Sequence, residues 1–161
     1  MKISIYTMGG TIDKVYFDDL SDYMVGSPQA GEILKEAKAA FDFDVHEVLR
    51  KDSLHLTAED RQMLRQRIAA DPCPLILVTH GTDTMAQTAE ALMGLPGKTI
   101  VFTGALSPAR FKGSDAGFNM GCAVGAVQSL APGVYICMNA VVFEAGKVRK
   151  NRDAGRFETV E

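Results

Sequence analysis

Apolar and polar positions along the chain follow two different periods. Short apolar runs bounded by Gly, Pro or Asp predict five strands, at residues 2–8, 42–49, 74–79, 98–104 and 133–138. Segments with apolar residues three and four apart predict four helices between them, at residues 28–41, 57–70, 83–94 and 115–131. This alternation predicts an α/β fold with a doubly wound, mainly parallel sheet and helices on both faces.

The remaining segments carry weaker signals. Residues 13–27 hold many aspartates and tyrosines without a period, and we expect a long loop there. The runs at 140–143 and 147–150 predict a terminal hairpin around the Glu-Ala-Gly sequence between them. Thr57 followed by Asp60 has the form of a capping box. Because neither an internal repeat nor a flexible linker is visible, we expect residues 1–161 to form one domain.

Composition narrows the class of protein. The chain has 161 residues, of which 47% are hydrophobic and 23% charged, and its net charge is −3. Residues 147–156 form the richest basic stretch, which is too short to predict a nucleic-acid partner. No apolar run approaches the roughly 18 residues of a membrane span, so no membrane partner is expected. Cys73, Cys122 and Cys137 show no metal-ligand spacing, which favours a reducing, cytoplasmic setting and no metal.

Three of the predicted strands end in polar or glycine-rich turns. These turns read MGGTI (8–12), THGTDT (79–84) and TGALSPAR (103–110). Because the carboxyl ends of parallel strands share one edge of the sheet, we expect the turns to meet there and to form a ligand site. Gly9 and Gly10 would let backbone amides approach that ligand closely. The two common phosphate-binding glycine patterns are absent.

Each polar residue of these turns has a structural interpretation beside a functional one. Thr11 could cap a tight turn, and Thr82 or Asp83 could cap the following helix. His80 could be a core histidine bonded to a backbone carbonyl, and Lys150 a surface lysine. Alternatively, a threonine hydroxyl with a neighbouring carboxylate and lysine could form a nucleophilic site. Taken one at a time, the residues favour the structural interpretation.

Taken together, the motifs MGGTI, HGTDTM and TGALSP, with Lys150, resemble the N-terminal domain of the bacterial-type L-asparaginase/glutaminase family. The resemblance covers essentially the whole chain. It implies a Rossmann-like, three-layer α/β fold and hydrolysis of the side-chain amide of asparagine, or of a related amide, to a carboxylate and ammonia. It also implies that no metal or cofactor is needed. Thr11 takes the place of the family's threonine nucleophile.

The resemblance also assigns roles to other residues. Tyr23 matches the loop tyrosine that assists the nucleophile, while Thr82, Asp83 and Lys150 match the family's second threonine, its aspartate and its lysine. Asp83 also takes the place of the group that binds the substrate's α-amino group. Ser53 matches the serine that receives the α-carboxylate, and Ala105 a backbone position that contacts the amide. The implied substrate-binding positions are therefore Gly10, Ser53, Gly81, Asp83 and Ala105.

The chain departs from the family pattern in two respects. Leu54 stands where the family usually has a polar residue that helps to hold the α-amino group, and Met8 replaces a common threonine. Family members also have roughly twice as many residues, because a second, smaller domain follows and a neighbouring subunit's copy completes each site. The chain is then either a natural single-domain form without the smaller domain or an excised domain, and its starting methionine favours the natural form.

These departures predict self-association and leave an alternative function open. A homo-oligomer, a dimer or larger, would restore a wall to the site, with Val141, Phe143 and Phe157 as candidate contacts. The leading hypothesis is an amidohydrolase that acts on a small asparagine-like amide. The alternative is a catalytically weak amino-acid-binding module, or a partner subunit, that retains the same cradle of side chains.

Overall fold

The computed structural model describes residues 1–161, which fold around a six-stranded sheet. In chain order the strands are β1 (Lys2–Gly9), β2 (Lys14–Phe17), β3 (Asp22–Val25), β4 (Asp42–Lys51), β5 (Leu75–Thr79), β6 (Thr99–Thr103), β7 (Gly133–Met138), β8 (Val141–Glu144), β9 (Val148–Asn151) and β10 (Arg156–Thr159). The sheet order is β4-β1-β5-β6-β7-β8, and only β8 runs antiparallel to its neighbour. The strands β2 and β3 form one separate hairpin, and β9 and β10 form another.

Helices cover both faces of this sheet. They are α1 (Ala30–Glu36), α2 (Ala58–Ala70), α3 (Met85–Ala91) and α4 (Ala116–Ser129). Alternate residues of β1 pack into two different cores, since Ile5 lies with α1 and α4, whereas Tyr6 lies with α2 and α3. The predicted α/β fold with a doubly wound, mainly parallel sheet is therefore confirmed. None of the helices is both long and apolar enough to cross a membrane.

The loop predicted at residues 13–27 was wrong. The segment forms the hairpin of β2 and β3, in which Tyr16 lies opposite Tyr23. Each strand has only four residues, and aspartates fill the connection between them. Strands this short show too few alternations for a period to be visible, although Val and Tyr favour β structure.

The predicted terminal hairpin was wrong in its pairing. The strand β8 pairs with β7, while β9 leaves the sheet and pairs with β10. Asn139 and Ala140 adopt φ values of 49° and 71°, which reverse the chain directly after β7. Consecutive positive φ angles match the twist of a tight hairpin, so the turn forms there. A Glu-Ala-Gly sequence gives a stronger turn signal from the sequence, and this misled the prediction.

Helix boundaries follow local hydrogen bonds. The capping box of α2 is confirmed, since Asp60 N–H donates to Thr57 Oγ1 at 3.1 Å and Thr57 N–H donates to Asp60 Oδ2 at 3.0 Å. The helices α1 and α3 are shorter than predicted. Lys38 has a φ of 54°, a left-handed conformation that ends the helical path after α1.

Only one of the three residues expected at a self-association surface is exposed. Phe143 and Phe157 are 8% and 7% exposed, and their rings lie 6.4 Å apart inside the core. Val141 is 51% exposed on the edge strand β8. The expectation for the two phenylalanines was wrong, because both rings pack into one buried core cluster together with Val148 of β9.

Candidate functional site

The turns that follow β1 and β5 meet at the carboxyl edge of the sheet, as predicted. Gly10 has a φ of +88°, and a Cβ atom built on it would collide with the Cα of Gly81. A Cβ on Gly81 would in turn lie 2.7 Å from the Cβ of Ser53. Larger residues would push these three segments apart, so both glycines are required for the turns to touch. The contact joins the start of the Thr11 turn to the backbone just before Thr82.

Thr11 and Tyr23 line the same cavity. It has a volume of about 300 Å³ and is lined by Thr11, Lys14, Tyr23, Leu106, Pro108 and Phe111. Thr11 begins a short 3-10 turn directly after β1, and Tyr23 reaches the cavity from β3. The ring of Tyr23 packs edge-on against Phe111, with ring centroids 5.6 Å apart. The hairpin of β2 and β3 therefore places the tyrosine beside the threonine, although sequence patterning predicted a loop there.

Thr82, Asp83 and Lys150 form a hydrogen-bonded group. Lys150 Nζ donates to Thr82 Oγ1 at 2.7 Å and to Asp83 Oδ1 at 2.8 Å. Thr82 is 7% exposed. Burial raises the pKa of Asp83, but the hydrogen bond and charge of Lys150, followed by the charge of Arg152, outweigh burial and hold the pKa below its usual value. Asp83 is therefore an anion at neutral pH, and Lys150 is tied to both partners of the group.

Ser53 and Ala105 lie on either side of the turn after β5. Ser53 is 2% exposed, its Oγ accepts from Thr84 N–H at 3.3 Å, and its carbonyl accepts from Thr84 Oγ1 at 2.7 Å. Ala105 is 1% exposed in the core beside α4. The carboxylate of Asp115 accepts the N–H groups of Leu106 and Ser107, which fixes the loop that follows Ala105.

His80 is a core histidine rather than a site residue. It is fully buried, and its Nδ1 lies 2.6 Å from the carbonyl oxygen of Gly81. Its Nε2 lies 2.7 Å from the hydroxyl of Thr88, and Thr88 in turn accepts from Arg61. Burial lowers the pKa of His80 to about 4, so the ring is neutral. A neutral ring that donates from Nδ1 to Gly81 and accepts at Nε2 fixes the backbone just before Thr82.

Sequence reasoning missed two cations near these groups. Lys14 lines the Thr11 cavity, and its Nζ lies 3.7 Å from Asp52 Oδ2. Arg152 Nη2 lies 3.0 Å from Asp83 Oδ1. A signal for Arg152 was present, because it follows Lys150 by two residues at the end of β9 and side chains two apart share a face of a strand. Lys14 gave no signal, because its position depends on the unpredicted hairpin.

Asp13 and Arg110 anchor the hairpin that carries Tyr23. The carbonyl of Asp13 accepts from Gly26 N–H at 2.8 Å and from Arg110 Nη1 at 2.8 Å, and Asp13 Oδ1 accepts from Gln29 N–H at 2.9 Å. Asp13 is 1% exposed, and its Oδ2 has no hydrogen-bond partner. These bonds tie the entry of the hairpin to its exit, two residues after Thr11.

Comparison with known proteins assigns the chain and its fold to one family. The family model described as "Asparaginase, N-terminal" matches residues 2–160. The chain therefore belongs to the asparaginase family, as the motifs predicted, and corresponds to its N-terminal domain. Solved structures agree, since an L-asparaginase I from Vibrio cholerae superimposes with a TM-score of 0.85 at 26% identity, covering 98% of this chain and 51% of the other.

Sequence relatives belong to two kinds of protein. An L-asparaginase from Thermococcus kodakarensis is 29% identical over 117 residues, which cover 70% of this chain and 36% of the relative. A solved structure of the thermostable L-asparaginase from Thermococcus kodakarensis superimposes with a TM-score of 0.84, covering 99% of this chain and 51% of that chain. One subunit of the glutamyl-tRNA(Gln) amidotransferase of Haloquadratum walsbyi is 36% identical over 96 residues, which cover 53% of this chain and 22% of the relative. The chain thus spans about half the length of these solved structures, and the matched regions cover smaller shares of the two sequence relatives.

Proposed function

We propose that the chain is an amidohydrolase that converts asparagine, or a related amide, to a carboxylate and ammonia, with Thr11 as the nucleophile. The observation that carries this proposal is the hydrogen-bonded group of Lys150, Thr82 and Asp83, which lies at the same sheet edge as Thr11. A helix cap would need only one of the polar residues in this turn. Here Lys150, from a distant segment, donates to both Thr82 and Asp83, which favours chemistry over capping.

The proposed reaction proceeds through an ester on Thr11. Its Oγ attacks the amide carbon, and backbone N–H groups near Thr82 stabilise the negative oxygen that develops. Tyr23, in the same cavity, assists removal of the hydroxyl proton. The bond between carbon and nitrogen then breaks, and the nitrogen leaves as ammonia with that proton. Water attacks the ester, releases the carboxylate and restores the hydroxyl.

Lys150 and Asp83 act through Thr82 in this proposal. Lys150 is the proton carrier of the group, since its Nζ already lies 2.7 Å from the Thr82 hydroxyl. Asp83 fixes the position of the ammonium group at 2.8 Å. Ser53 and the backbone of Gly10, Gly81 and Ala105 form the surface on which the substrate lies.

Substitution of the two threonines tests the proposal. We expect Thr11→Ala and Thr82→Val each to reduce ammonia release from the amide substrate at least about a hundredfold, the lower range for losing a group that acts in proton transfer. Thr11→Ser keeps a hydroxyl and should retain measurable turnover. Thr79→Val is the matched control, because Thr79 is buried in β5 and its hydroxyl has no hydrogen-bond partner. Full activity in Thr11→Ala would contradict the proposal.

A second candidate function is a binding module or partner subunit. It is favoured by the similarity to the amidotransferase subunits, one of which, from Archaeoglobus fulgidus, is 37% identical over 97 residues. Such a chain would bind an amide or its acid product without releasing ammonia on its own. Tight calorimetric binding together with no turnover over a panel of amides would favour this candidate.

We further propose that residues 1–161 form a single domain that self-associates in the cytoplasm. Exposed apolar side chains on the β2 and β3 hairpin lie beside the Thr11 cavity, where a second copy would add a wall. Cys73, Cys122 and Cys137 are all free thiols, in keeping with a reducing compartment. A similar structure from Campylobacter jejuni is titled a probable cytoplasmic L-asparaginase.

A further inference from the structure

The carboxylate that would hold an α-ammonium group has a second cation, Arg152, beside Lys150. Asp83 Oδ1 lies 2.8 Å from Lys150 Nζ and 3.0 Å from Arg152 Nη2. The Asp83 and Lys150 side chains are 26% and 17% exposed, so solvent screens this contact less than it would screen a contact on the open surface. One negative and two positive charges leave this cluster with a net charge of +1.

Asp52, the acid that directly precedes Ser53 in the chain, is also matched by a cation. Asp52 Oδ2 lies 3.7 Å from Lys14 Nζ, and Lys14 lines the Thr11 cavity. Asp52 also accepts the N–H of Leu54 at 3.0 Å, so its carboxylate is committed to the local turn. Neither acid beside Ser53 is therefore free of a protein cation.

The residue after Ser53 adds no acceptor for an ammonium group. Leu54 is 57% exposed at this edge, next to the buried Ser53. An ammonium group has three donors that lose their water when it binds, and an isobutyl side chain cannot accept from any of them. An apolar or uncharged part of a ligand fits beside Leu54 better than an ammonium group does.

We propose that the site selects amides of dicarboxylic acids that lack an α-ammonium group, with Arg152 as a specificity-determining residue. Such a substrate has a carboxylate at one end and a carboxamide at the other, and it carries a net charge of −1. This inference rests on the proposed function, because it names the substrate class of the same site. The side chains of Lys14, Lys150 and Arg152 outnumber those of Asp52 and Asp83, so the site favours this anion over a neutral zwitterion.

The charge on Arg152 acts against an α-ammonium group. An ammonium group that approaches Asp83 also approaches Lys150 and Arg152, because all three groups meet at one oxygen. Like charges at such distances repel, and the repulsion is weakened only partly by water. Removal of the Arg152 charge should therefore strengthen binding of the zwitterion. It should also weaken binding of the anionic amide, because one cation that attracts its carboxylate is lost.

The test compares succinamate with L-asparagine, which differ only in the α-ammonium group. We expect kcat/KM of the unmodified protein for succinamate to exceed that for L-asparagine at least about tenfold. Arg152→Gln should lower this ratio about 1.5- to fivefold, the range for loss of one exposed charge contact. Arg149→Gln is the matched control, because Arg149 lies on β9, three residues before Arg152, but contacts Glu158 and not Asp83. The ratio should not change in this control.

Product binding gives a second readout that needs no turnover. In calorimetry, succinate should bind the unmodified protein more tightly than L-aspartate, and Arg152→Gln should narrow the difference. The inference is overturned if L-asparagine is the better substrate, if L-aspartate binds at least as tightly as succinate, or if neither acid binds. If no amide is hydrolysed but succinate binds more tightly than L-aspartate, the proposed function fails and the inferred ligand class stands.

Discussion

The turn from Thr82 to Asp83 illustrates how little one residue's own neighbours say about its role. Both side chains are good helix caps, and α3 does begin two residues later. Neither side chain caps it. Instead, Thr82 Oγ1 and Asp83 Oδ1 accept hydrogen bonds from Lys150, which lies 68 and 67 residues further along the chain. Local propensity favoured the cap, and a long-range contact decided otherwise.

Asp13 should give the protein an unusual pH dependence of stability. Burial raises the pKa of Asp13 to about 7. The hydrogen bond from Gln29 and the charge of Arg110 lower the pKa but do not outweigh burial, and the charges of Glu47 and Arg50 have smaller, opposite effects. In the unfolded chain this carboxyl ionises near pH 4, so the folded state holds an extra proton between about pH 4 and 7. The free energy of unfolding should therefore fall as pH rises through this range, by about 4 kcal/mol or less.

Urea unfolding at pH 5 and pH 8 measures this effect. Asp13→Asn keeps an oxygen that can accept from Gln29 but cannot ionise, so it should gain stability relative to the unmodified protein between pH 5 and pH 8. Asp19→Asn, an exposed position in the same hairpin, is the control and should follow the unmodified protein. If the free energy of unfolding changes by the same amount between pH 5 and pH 8 in Asp13→Asn and in the unmodified protein, Asp13 is not the source of the pH dependence.

Among single residues, sequence motifs predicted the groups that share a cavity or bond directly. The structure brings Thr11 together with Tyr23, and Thr82 together with Asp83 and Lys150. Lys14 and Arg152 were missed for different reasons. The position of Lys14 depends on the unpredicted hairpin, whereas the spacing of Arg152 from Lys150 gave a signal but its partner Asp83 is set by tertiary contact. The catalytic roles of the five expected residues stay predictions until turnover is measured.

At the scale of elements, the contact between turns depends on glycine. Gly81→Ala would place a Cβ 2.7 Å from that of Ser53, and Ser53 is buried and cannot move away freely. We expect a loss of about 1–3 kcal/mol in the free energy of unfolding, as for other overpacked sites. Ammonia release should fall as well, because the shift displaces Ser53 and the backbone before Thr82.

Gly121→Ala is the matched control for this variant. Gly121 lies inside α4, and a Cβ there meets no atom within 4 Å. Alanine in a helix interior should raise stability by about 0.5–1 kcal/mol. If chemical unfolding gives both variants the same stability as the unmodified protein, the close packing of the turns is not what holds the edge together.

The strands of the central sheet and the helices that cover it were predictable because each is long enough for its apolar pattern to be recognised in the sequence. Buried runs such as β5 carry four fully buried residues in succession, and the capping box marks the start of α2. The hairpin of β2 and β3 and the pairing of β8 with β7 were not predictable from the same signal. The strands β2 and β3 are too short, and the path of β8 depends on positive φ angles at Asn139 and Ala140.

At the scale of the whole molecule, the proposed self-association should be measurable in solution. Apolar side chains on the hairpin are exposed, including Phe17 at 41% and Leu20 at 67%. We expect size-exclusion chromatography with light scattering to give a dimer or a larger oligomer. The double substitution Phe17→Asp with Leu20→Asp should shift it to a monomer, because charges cannot be buried unpaired at an apolar contact.

The control for this experiment is Met93→Asp. Met93 is 49% exposed at the end of α3, away from the hairpin in the chain. This variant should keep the mass of the unmodified protein. A monomer for the unmodified protein at all concentrations would show that the hairpin surface has no second copy as its partner.

Ammonia release by the purified chain is the measurement that tests the central claim most directly. The panel should contain L-asparagine, L-glutamine, succinamate and related amides, each assayed with the unmodified protein and with Thr11→Ala as the blank. The account predicts release of ammonia from at least one amide by the unmodified protein and none above background by Thr11→Ala. Absence of release from every amide, or equal release by the two proteins, would contradict it.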